Sequence, residues 1–291
     1  MLRGRMTSYL PVRDTPELAE HNRRKLDISR SDAVRIAAEN VRICADGQYR
    51  APSGSIVDLR PCVEEARTRK LSIPAETGLP SSTAQGWDTL VEVANETTDR
   101  AAQRLQLSCT KVLALNFANG TTPGGGFLVG ARAQEESLCR MSALYATLDG
   151  DAMYEFHRAH DPITSSAWAI LSPAVPFFRG PWAELLETPW FLDVLTCAAP
   201  IASRGNGMVA RSLLSARIGR VLEIARAYEY EGLVLGAWGC GAFGNDSATT
   251  AEDFHRALTG RFDGVFRSIC LAITDWSDER RFLGPFRDRF R

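Results

Sequence analysis

The sequence predicts an α/β protein with a mixed or parallel sheet that is covered by helices on both faces. Segments with strand character alternate with helical segments along most of the chain. Two strand segments, residues 111–117 and 233–238, are near-continuous apolar runs, which are typical of strands buried on both faces. A glycine-rich loop and then a helix follow each of these runs.

The other elements are predicted from local signals, in chain order. Asp14-Thr15-Pro16 is a helix start, so the first forty residues are expected to be largely helical. Apolar residues at helical spacing predict a helix over residues 131–148. The remaining predicted strands cover residues 55–59, 90–93, 168–171, 191–196 and 269–274, and the remaining helices cover 62–70, 97–107, 211–230, a segment near 250 and the C-terminus.

A loop rich in Pro, Gly and Ser at residues 73–86 is the clearest candidate for a domain boundary. It divides the chain into a largely helical N-terminal extension, residues 1–85, and a core, residues 86–291. The sequence shows no internal repeat and no low-complexity segment.

Composition excludes several classes of protein. The 34 basic and 35 acidic side chains nearly cancel, which argues against broad binding of a nucleic-acid backbone. The seven cysteines are scattered and form no Cys-x-x-Cys pair, as expected for free thiols in a reducing compartment. Neither a signal peptide nor an apolar run long enough to span a membrane is present. We therefore expect a cytoplasmic protein without a membrane partner.

The two glycine-rich loops, residues 119–130 and 239–246, indicate a phosphate site. Each loop follows a buried strand, where ligands of open α/β sheets bind, and glycine lets the backbone approach an anion closely. Together they are expected to hold a diphosphate between backbone N–H groups and helix N-termini. Neither loop is followed by Gly-Lys-Ser/Thr, and the first does not match the dinucleotide fingerprint, so known schemes of nucleotide hydrolysis are disfavoured.

Glu135 and Glu136 open the helix that follows the first loop. Acidic residues are common in a first helical turn because the helix dipole favours them there. Here the pair directly follows an anion-binding loop, so at least one carboxylate is expected to face the same site. Burial and a neighbouring like charge raise a carboxyl pKa, which would equip one glutamate for the general-acid role in glycoside hydrolysis.

Other candidate residues are explained better by structural roles. His157 and His160 have no third metal ligand nearby in sequence, so surface or capping roles are expected. Cys240 has no histidine near it, so packing is favoured over a nucleophilic role.

Several motifs resemble those of poly(ADP-ribose) glycohydrolases. Asn116-Phe117-Ala118-Asn119, then Gly124-Gly125-Gly126 and Gln134-Glu135-Glu136, is similar to the signature of that family. Residues 238–244 (Trp-Gly-Cys-Gly-Ala-Phe-Gly) resemble its other diphosphate loop, and residues 171–179 resemble its microbial branch. The resemblance is strong over residues 112–148 and 232–247 and weaker over 168–204 and 268–276.

The resemblance implies a macrodomain, a three-layer α/β/α fold with a mixed central sheet, and hydrolysis of the ribose–ribose bond of poly(ADP-ribose). It implies Glu136 as the catalytic acid and then base, with Glu135 as its catalytic helper that holds a ribose hydroxyl. Asn119 would hold the terminal ribose, and Phe243 would pack over the substrate. The implied substrate-binding residues are Asn119, Gly124, Gly125, Gly126, Gln134, Gly239, Cys240, Gly241, Ala242, Phe243 and Gly244.

The resemblance implies no metal and no cofactor. The expected partners are poly(ADP-ribose), ADP-ribose and ADP-ribosylated proteins, in the reversal of ADP-ribosylation and the DNA damage response. Two alternatives remain. A non-catalytic ADP-ribose-binding macrodomain would keep the loops without needing the paired acids, and a hydrolase of mono-ADP-ribose on protein or nucleic acid would share the same site. Adjacent glutamates on one helix point about 100° apart, so a single catalytic carboxylate with a helper is favoured over two that flank one bond.

Overall fold

A computed structural model of the chain describes residues 7–82, 86–202 and 205–291. The strands of this described part are β1 (Ser8–Tyr9), β2 (Gln48–Arg50), β3 (Ile56–Asp58), β4 (Leu71–Ile73), β5 (Leu90–Ala94), β6 (Val112–Ala118), β7 (Ala169–Arg179), β8 (Leu185–Ala198), β9 (Gly232–Leu235) and β10 (Ser268–Ala272). Its α-helices are α1 (Pro16–Leu26), α2 (Arg30–Asp46), α3 (Arg60–Thr68), α4 (Thr98–Leu105), α5 (Gln134–Met141), α6 (Leu144–Leu148), α7 (Ala152–His160), α8 (Gly207–Ala227), α9 (Ser247–Thr259) and α10 (Leu283–Arg289).

The chain forms two compact units, each built from separate segments. The first unit contains the described residues of Met1–Arg24, Glu76–Leu115 and Ala199–Arg291. The second contains Lys25–Ala75 and Asn116–Ala198. The predicted division at residues 85 and 86 stays a prediction, because residues 83–85 lie outside the described residues.

The first unit is built on parallel strands in the order β1-β5-β10-β9-β6. Ser268 of β10 pairs with Leu90 of β5 and with Gly232 of β9, which in turn pairs with Val112 of β6. The strands therefore begin at one edge of the sheet. Every residue of β9 and nearly every residue of β10 is buried, as expected for parallel strands covered on both faces.

The second unit contains antiparallel strands in the order β8-β7-β4, together with the last three residues of β6. Strands β2 and β3 form a separate antiparallel pair. Helices α2 and α3 pack with these strands around an apolar cluster that includes Ile43, Tyr49, Leu59, Val63 and Phe178. The fold is a mixed α/β fold, with parallel pairing among β1, β5, β10, β9 and β6 and antiparallel pairing of β7 with β8 and β4, as the alternating pattern predicts.

Local interactions define the ends of the first two helices. Helix α1 begins at Pro16, and the Thr15 hydroxyl accepts a hydrogen bond from the Leu18 N–H, as the predicted helix start requires. Helix α2 ends at Asp46 and is capped by Gly47, whose φ of 70° is left-handed and whose N–H donates to Ile43 O.

The predicted helix over residues 131–148 is wrong as a single element. Helix α5 ends at Met141, Ser142 is extended, and α6 starts at Leu144. Ser142 forms a β-bridge with Phe177, and the Ala143 N–H donates to Pro176 O. Pairing with a distant strand therefore overrides the helical periodicity at this point. Strand β9 also ends at Leu235, three residues earlier than predicted, because the chain turns where the Trp238 N–H donates to Gly236 O.

Candidate active site

The first glycine loop follows β6 and lies directly against the two glutamates of α5. Gly124 and Gly125 have φ values of 66° and 59°, which favour glycine strongly. A Cβ atom on Gly125 would lie 2.5 Å from Glu136 Oε1 and 2.8 Å from Glu135 Oε2. Glycine at this position therefore allows the backbone to touch both carboxylates.

Glu135 is held at both carboxylate oxygens. Its Oε2 accepts a hydrogen bond from the Asn119 N–H at 2.7 Å, and its Oε1 accepts one from Asn116 Nδ2 at 3.2 Å. The side chain is buried, and burial raises its pKa to about 8; the negative charge of Glu136 adds to the rise, and the Asn119 N–H opposes it. Glu135 is therefore rigidly placed and takes up a proton far more readily than an exposed glutamate.

Glu136 is held at only one oxygen. Its Oε1 accepts a hydrogen bond from the Gly126 N–H at 2.8 Å. Its Oε2 is buried and has no hydrogen-bond partner in the described part of the chain. A buried polar atom without a partner is uncommon and calls for a ligand or another explanation. The two glutamates thus differ in hydrogen bonding: Glu135 has a donor at each carboxylate oxygen, and Glu136 has a donor at one.

The loop itself is stabilised by Asn119 and Gln134. Asn119 Oδ1 accepts hydrogen bonds from the Thr121 and Thr122 N–H groups, at 2.9 Å each, which closes a tight turn. Gln134 Oε1 accepts one from the Phe117 N–H at 2.9 Å, which fixes the start of α5 to the end of β6. The amide oxygen of Asn119 serves the fold, so its nitrogen is the group that could bind a ligand.

Three buried residues near the glutamates had no predicted role in the site, although Asn116 is part of the motif quoted above. Asn116 shares its Nδ2 between Glu135 and the Thr196 hydroxyl, 3.2 Å from each. The pKa of Tyr154 is raised by burial and then by the charge of Glu135. Burial lowers the pKa of Arg140 while the charge of Glu136 opposes that shift. Asn116 was detectable, because it is a polar residue within an apolar strand; the other two have no local signal.

His157 is buried, so the expected surface role is wrong for this residue. Its Nδ1 lies 2.9 Å from Gly120 O, and its Nε2 lies 2.7 Å from the Ser166 hydroxyl. These contacts hold the beginning of the glycine loop. His160 is exposed and stacks on Phe156, with ring centroids 4.2 Å apart.

The second glycine loop belongs to the first unit and connects β9 to α9. Gly239 has a φ of 76°, and a Cβ atom there would lie 2.7 Å from the Ala199 Cβ atom. The Ala202 N–H donates to Phe243 O at 2.7 Å, which ties the loop to the segment after β8. Gly241, Ala242 and Gly244 are exposed and Phe243 is half-buried. The loop is therefore folded by its own contacts and keeps an accessible surface.

Cys240 of the same loop is buried, and burial raises the pKa of its thiol. A thiol that resists ionisation is a poor nucleophile. This agrees with the packing role that the sequence favoured.

One group among the described residues has the composition of a metal site: Glu92, Glu96 and Cys270, whose ligand atoms lie within 4.8 Å of one another. It lies in the first unit and includes neither active-site glutamate. Arg104 forms ion pairs with both carboxylates and neutralises much of their charge. The group therefore needs no metal to be stable.

Comparisons with known proteins give a match to one family model and to several solved structures. A family model for the catalytic domain of microbial-type PARG matches residues 37–180. The chain is similar to the crystal structure of poly(ADP-ribose) glycohydrolase from Thermomonospora curvata, with 39% identity, a TM-score of 0.80, and coverage of 89% of this chain and 100% of the other. The same figures hold for that enzyme bound to the inhibitor ADP-HPD.

The chain is also similar to poly(ADP-ribose) glycohydrolase from Deinococcus radiodurans in complex with ADP-ribose. The identity is 34% and the TM-score 0.72, over 79% of this chain and 96% of the other. A search among curated proteins finds no match. In the described part of the chain, none of the helices has the length and apolar character needed to cross a membrane.

Proposed function

The chain belongs to the microbial-type poly(ADP-ribose) glycohydrolase family, and from this premise we propose that Glu136 carries out the proton transfers of the reaction. The protein is a glycoside hydrolase that acts on poly(ADP-ribose). The observation that favours Glu136 is that the two carboxylates have different numbers of hydrogen-bond donors. Glu135 has donors at both oxygens, whereas Glu136 Oε2 has none in the described residues.

In the first step, Glu136 in its acid form donates the proton on Oε2 to the bridging oxygen of the ribose–ribose bond. That bond breaks with both electrons on the leaving oxygen, and the other ribose becomes an oxocarbenium-like cation. The Gly126 N–H remains on Oε1 throughout, so the carboxylate formed keeps a donor. Its second oxygen is then ready to act as a base.

In the second step, the Glu136 carboxylate takes a proton from a water molecule whose oxygen adds to the cationic carbon. ADP-ribose is released and the acid form of Glu136 is restored. One group acts as acid and then as base, as microscopic reversibility allows. Since Glu135 and Glu136 are adjacent and touch the same glycine, they do not have the separation across a sugar that two independent catalytic carboxylates require.

Glu135 is proposed to position the substrate. With a pKa of about 8, it is mostly protonated at neutral pH, so it can donate to a ribose hydroxyl as well as accept from one. Its neutral form also limits the negative charge close to the substrate's diphosphate. Asn116 and the Asn119 N–H keep it in place.

The remaining substrate contacts are proposed from the similarity of this chain to its family. The similar enzyme from Deinococcus radiodurans was crystallised with ADP-ribose, and we propose that this chain binds ADP-ribose units. Asn119 would contact the terminal ribose, the first loop and residues 239–244 would contact phosphates, and Phe243 would pack on the ligand. The macrodomain layering, ADP-ribosylated proteins as targets, a cytoplasmic location and a role in the DNA damage response belong to the same proposal.

The test is hydrolysis of poly(ADP-ribose) by the wild type and by the Glu136→Gln and Glu135→Gln variants, with products separated by chain length. Glu136→Gln preserves size but cannot transfer a proton, so we expect at least about a hundredfold loss of kcat. ADP-ribose affinity, measured by calorimetry, should stay within a few-fold. Glu135→Gln keeps a donor and an acceptor and should retain more activity.

The opposite ranking of the two variants would reject the assignment of Glu136. Tight ADP-ribose binding by a wild type that releases no monomer would instead indicate a non-catalytic reader. Release of ADP-ribose from a protein carrying single ADP-ribose units, but not from polymer, would indicate a mono-ADP-ribosyl hydrolase.

A further inference from the structure

A cavity of about 610 Å³ lies in the first unit, away from its glycine loop. Three segments contribute to its lining: residues 77–82 with Gly86, one face of the C-terminal part of α8, and Arg261 with residues 263–265. Its volume falls in the range of sites for small molecules. None of the residues discussed for catalysis lines it.

The cavity lies at the edge of the sheet where the parallel strands begin. Residues 261–265 precede β10, Gly86 precedes β5, and the end of α8 precedes β9. The glycine loop 239–244, in contrast, leaves the opposite end of β9. A strand of four residues is about 13 Å long, so the cavity is separate from that loop.

The charged groups of the cavity leave a positive excess. Glu223 forms ion pairs with both Arg220 and Arg261. Asp263 accepts a hydrogen bond from the Thr7 hydroxyl at 2.6 Å. Arg226 has no carboxylate within ion-pair distance among the described residues, and its guanidinium lies 5.8 Å from the centre of the Phe262 ring. Three guanidinium groups and two carboxylates give a net charge of +1.

We propose that this cavity is a second phosphate-binding site that takes the diphosphate of a nucleotide unit, with Arg226 as its principal ligand. A guanidinium binds phosphate oxygens through paired, charge-assisted hydrogen bonds. Leu79, Pro80 and Val265 also line the cavity and offer apolar contact to a sugar or base. This combination fits a nucleotide better than an inorganic ion.

Two sources could supply this chemistry: a distant ADP-ribose unit of the polymer under attack, or a free nucleotide diphosphate. A distant unit would be held by the same chain as the scissile bond, and this linkage raises its effective concentration. The site would then strengthen binding of long polymers and leave short ones unaffected. The role of the cavity in polymer binding rests on the proposed hydrolysis of polymer, whereas the presence of a phosphate site does not.

The experiment compares the wild type with Arg226→Gln and Arg226→Lys. Arg100→Gln on α4 is the matched control, because Arg100 is exposed and does not line the cavity. Calorimetric titration with pyrophosphate measures the site directly. Steady-state kinetics with long poly(ADP-ribose) and with the ADP-ribose dimer give the KM for each substrate and show whether the cavity contributes to polymer binding. Melting temperatures verify that each variant is folded.

We expect Arg226→Gln to lose one pyrophosphate-binding event, or to weaken it about tenfold, because one charge-assisted contact is removed. Arg226→Lys should keep part of it, and Arg100→Gln should match the wild type. If the cavity binds a distant unit of the polymer, Arg226→Gln also raises KM for long polymer about tenfold and leaves KM for the dimer within about twofold. An unchanged KM for long polymer together with lost pyrophosphate binding identifies a free nucleotide as the ligand.

Equal pyrophosphate binding by all four proteins overturns the proposal, whatever the kinetics. A wild type that binds pyrophosphate in an Arg226-dependent way but hydrolyses no polymer would refute the enzymatic function and leave the phosphate site standing.

Discussion

Replacing Gly125 by alanine tests whether close packing of the glycine loop on both carboxylates is needed for catalysis. The new Cβ atom would lie 2.5 Å from Glu136 Oε1 and 2.8 Å from Glu135 Oε2. Ordinary van der Waals contact begins at 3.4 Å, so the first oxygen must move by about 0.9 Å and the second by about 0.6 Å. The carboxylates or the loop must therefore shift.

The size of the effect follows from these displacements. A misplacement of about 1 Å in a catalytic group costs on the order of a hundredfold in rate. We therefore expect kcat for poly(ADP-ribose) to fall about a hundredfold in Gly125→Ala. The left-handed φ of 59° adds a conformational strain of about 1–2 kcal/mol to the folded state.

Gly150→Ala separates the strain from the displacement. Gly150 has a similar φ of 74°, but no atom lies within 4 Å of its would-be Cβ position. It should show the loss of stability, a few degrees in melting temperature, with kcat within about twofold of the wild type.

The measurements are initial rates of ADP-ribose release and thermal melting curves for the wild type and both variants. A Gly125→Ala enzyme that is as active as Gly150→Ala would show that the positions of the two carboxylates do not limit the reaction. That result would refute our reasoning about this loop.

Three further predictions concern pH, a buried amide and metals. Because the pKa of Glu135 is raised to about 8 in the folded state, its contribution to stability is complete below its unfolded pKa of about 4.5 and is lost as pH rises towards 8. Between pH 5 and pH 8, the free energy of unfolding measured in urea should therefore fall less in Glu135→Gln than in the wild type. Equal falls in the two proteins would contradict the raised pKa. Asn116→Ala removes a hydrogen-bond donor to Glu135, so we expect the free energy of unfolding to fall by about 1–3 kcal/mol and kcat to decrease. An unchanged kcat would mean that Asn116 serves folding alone. EDTA should leave turnover unchanged, and a loss that added zinc restores would point to a metal role for Glu92, Glu96 and Cys270.

The sequence by itself determined the elements whose signals are local. The apolar runs predicted β6 and most of β9, because strands buried on both faces need continuous apolar residues. The glycines of both loops permit a left-handed backbone, and Gly124, Gly125 and Gly239 do adopt positive φ. The position of the glutamate pair in the first turn of α5 was also predictable from spacing along the chain.

Tertiary structure decided the features that depend on distant residues. The break at Ser142 arises from pairing with Phe177, which no helical periodicity can reveal. The difference between Glu135 and Glu136 arises because donors from the end of β6 and the turn after it reach only the first of them. Two adjacent carboxylates of identical chemistry thus acquire different environments, because contacts between residues far apart in sequence set burial and hydrogen bonding.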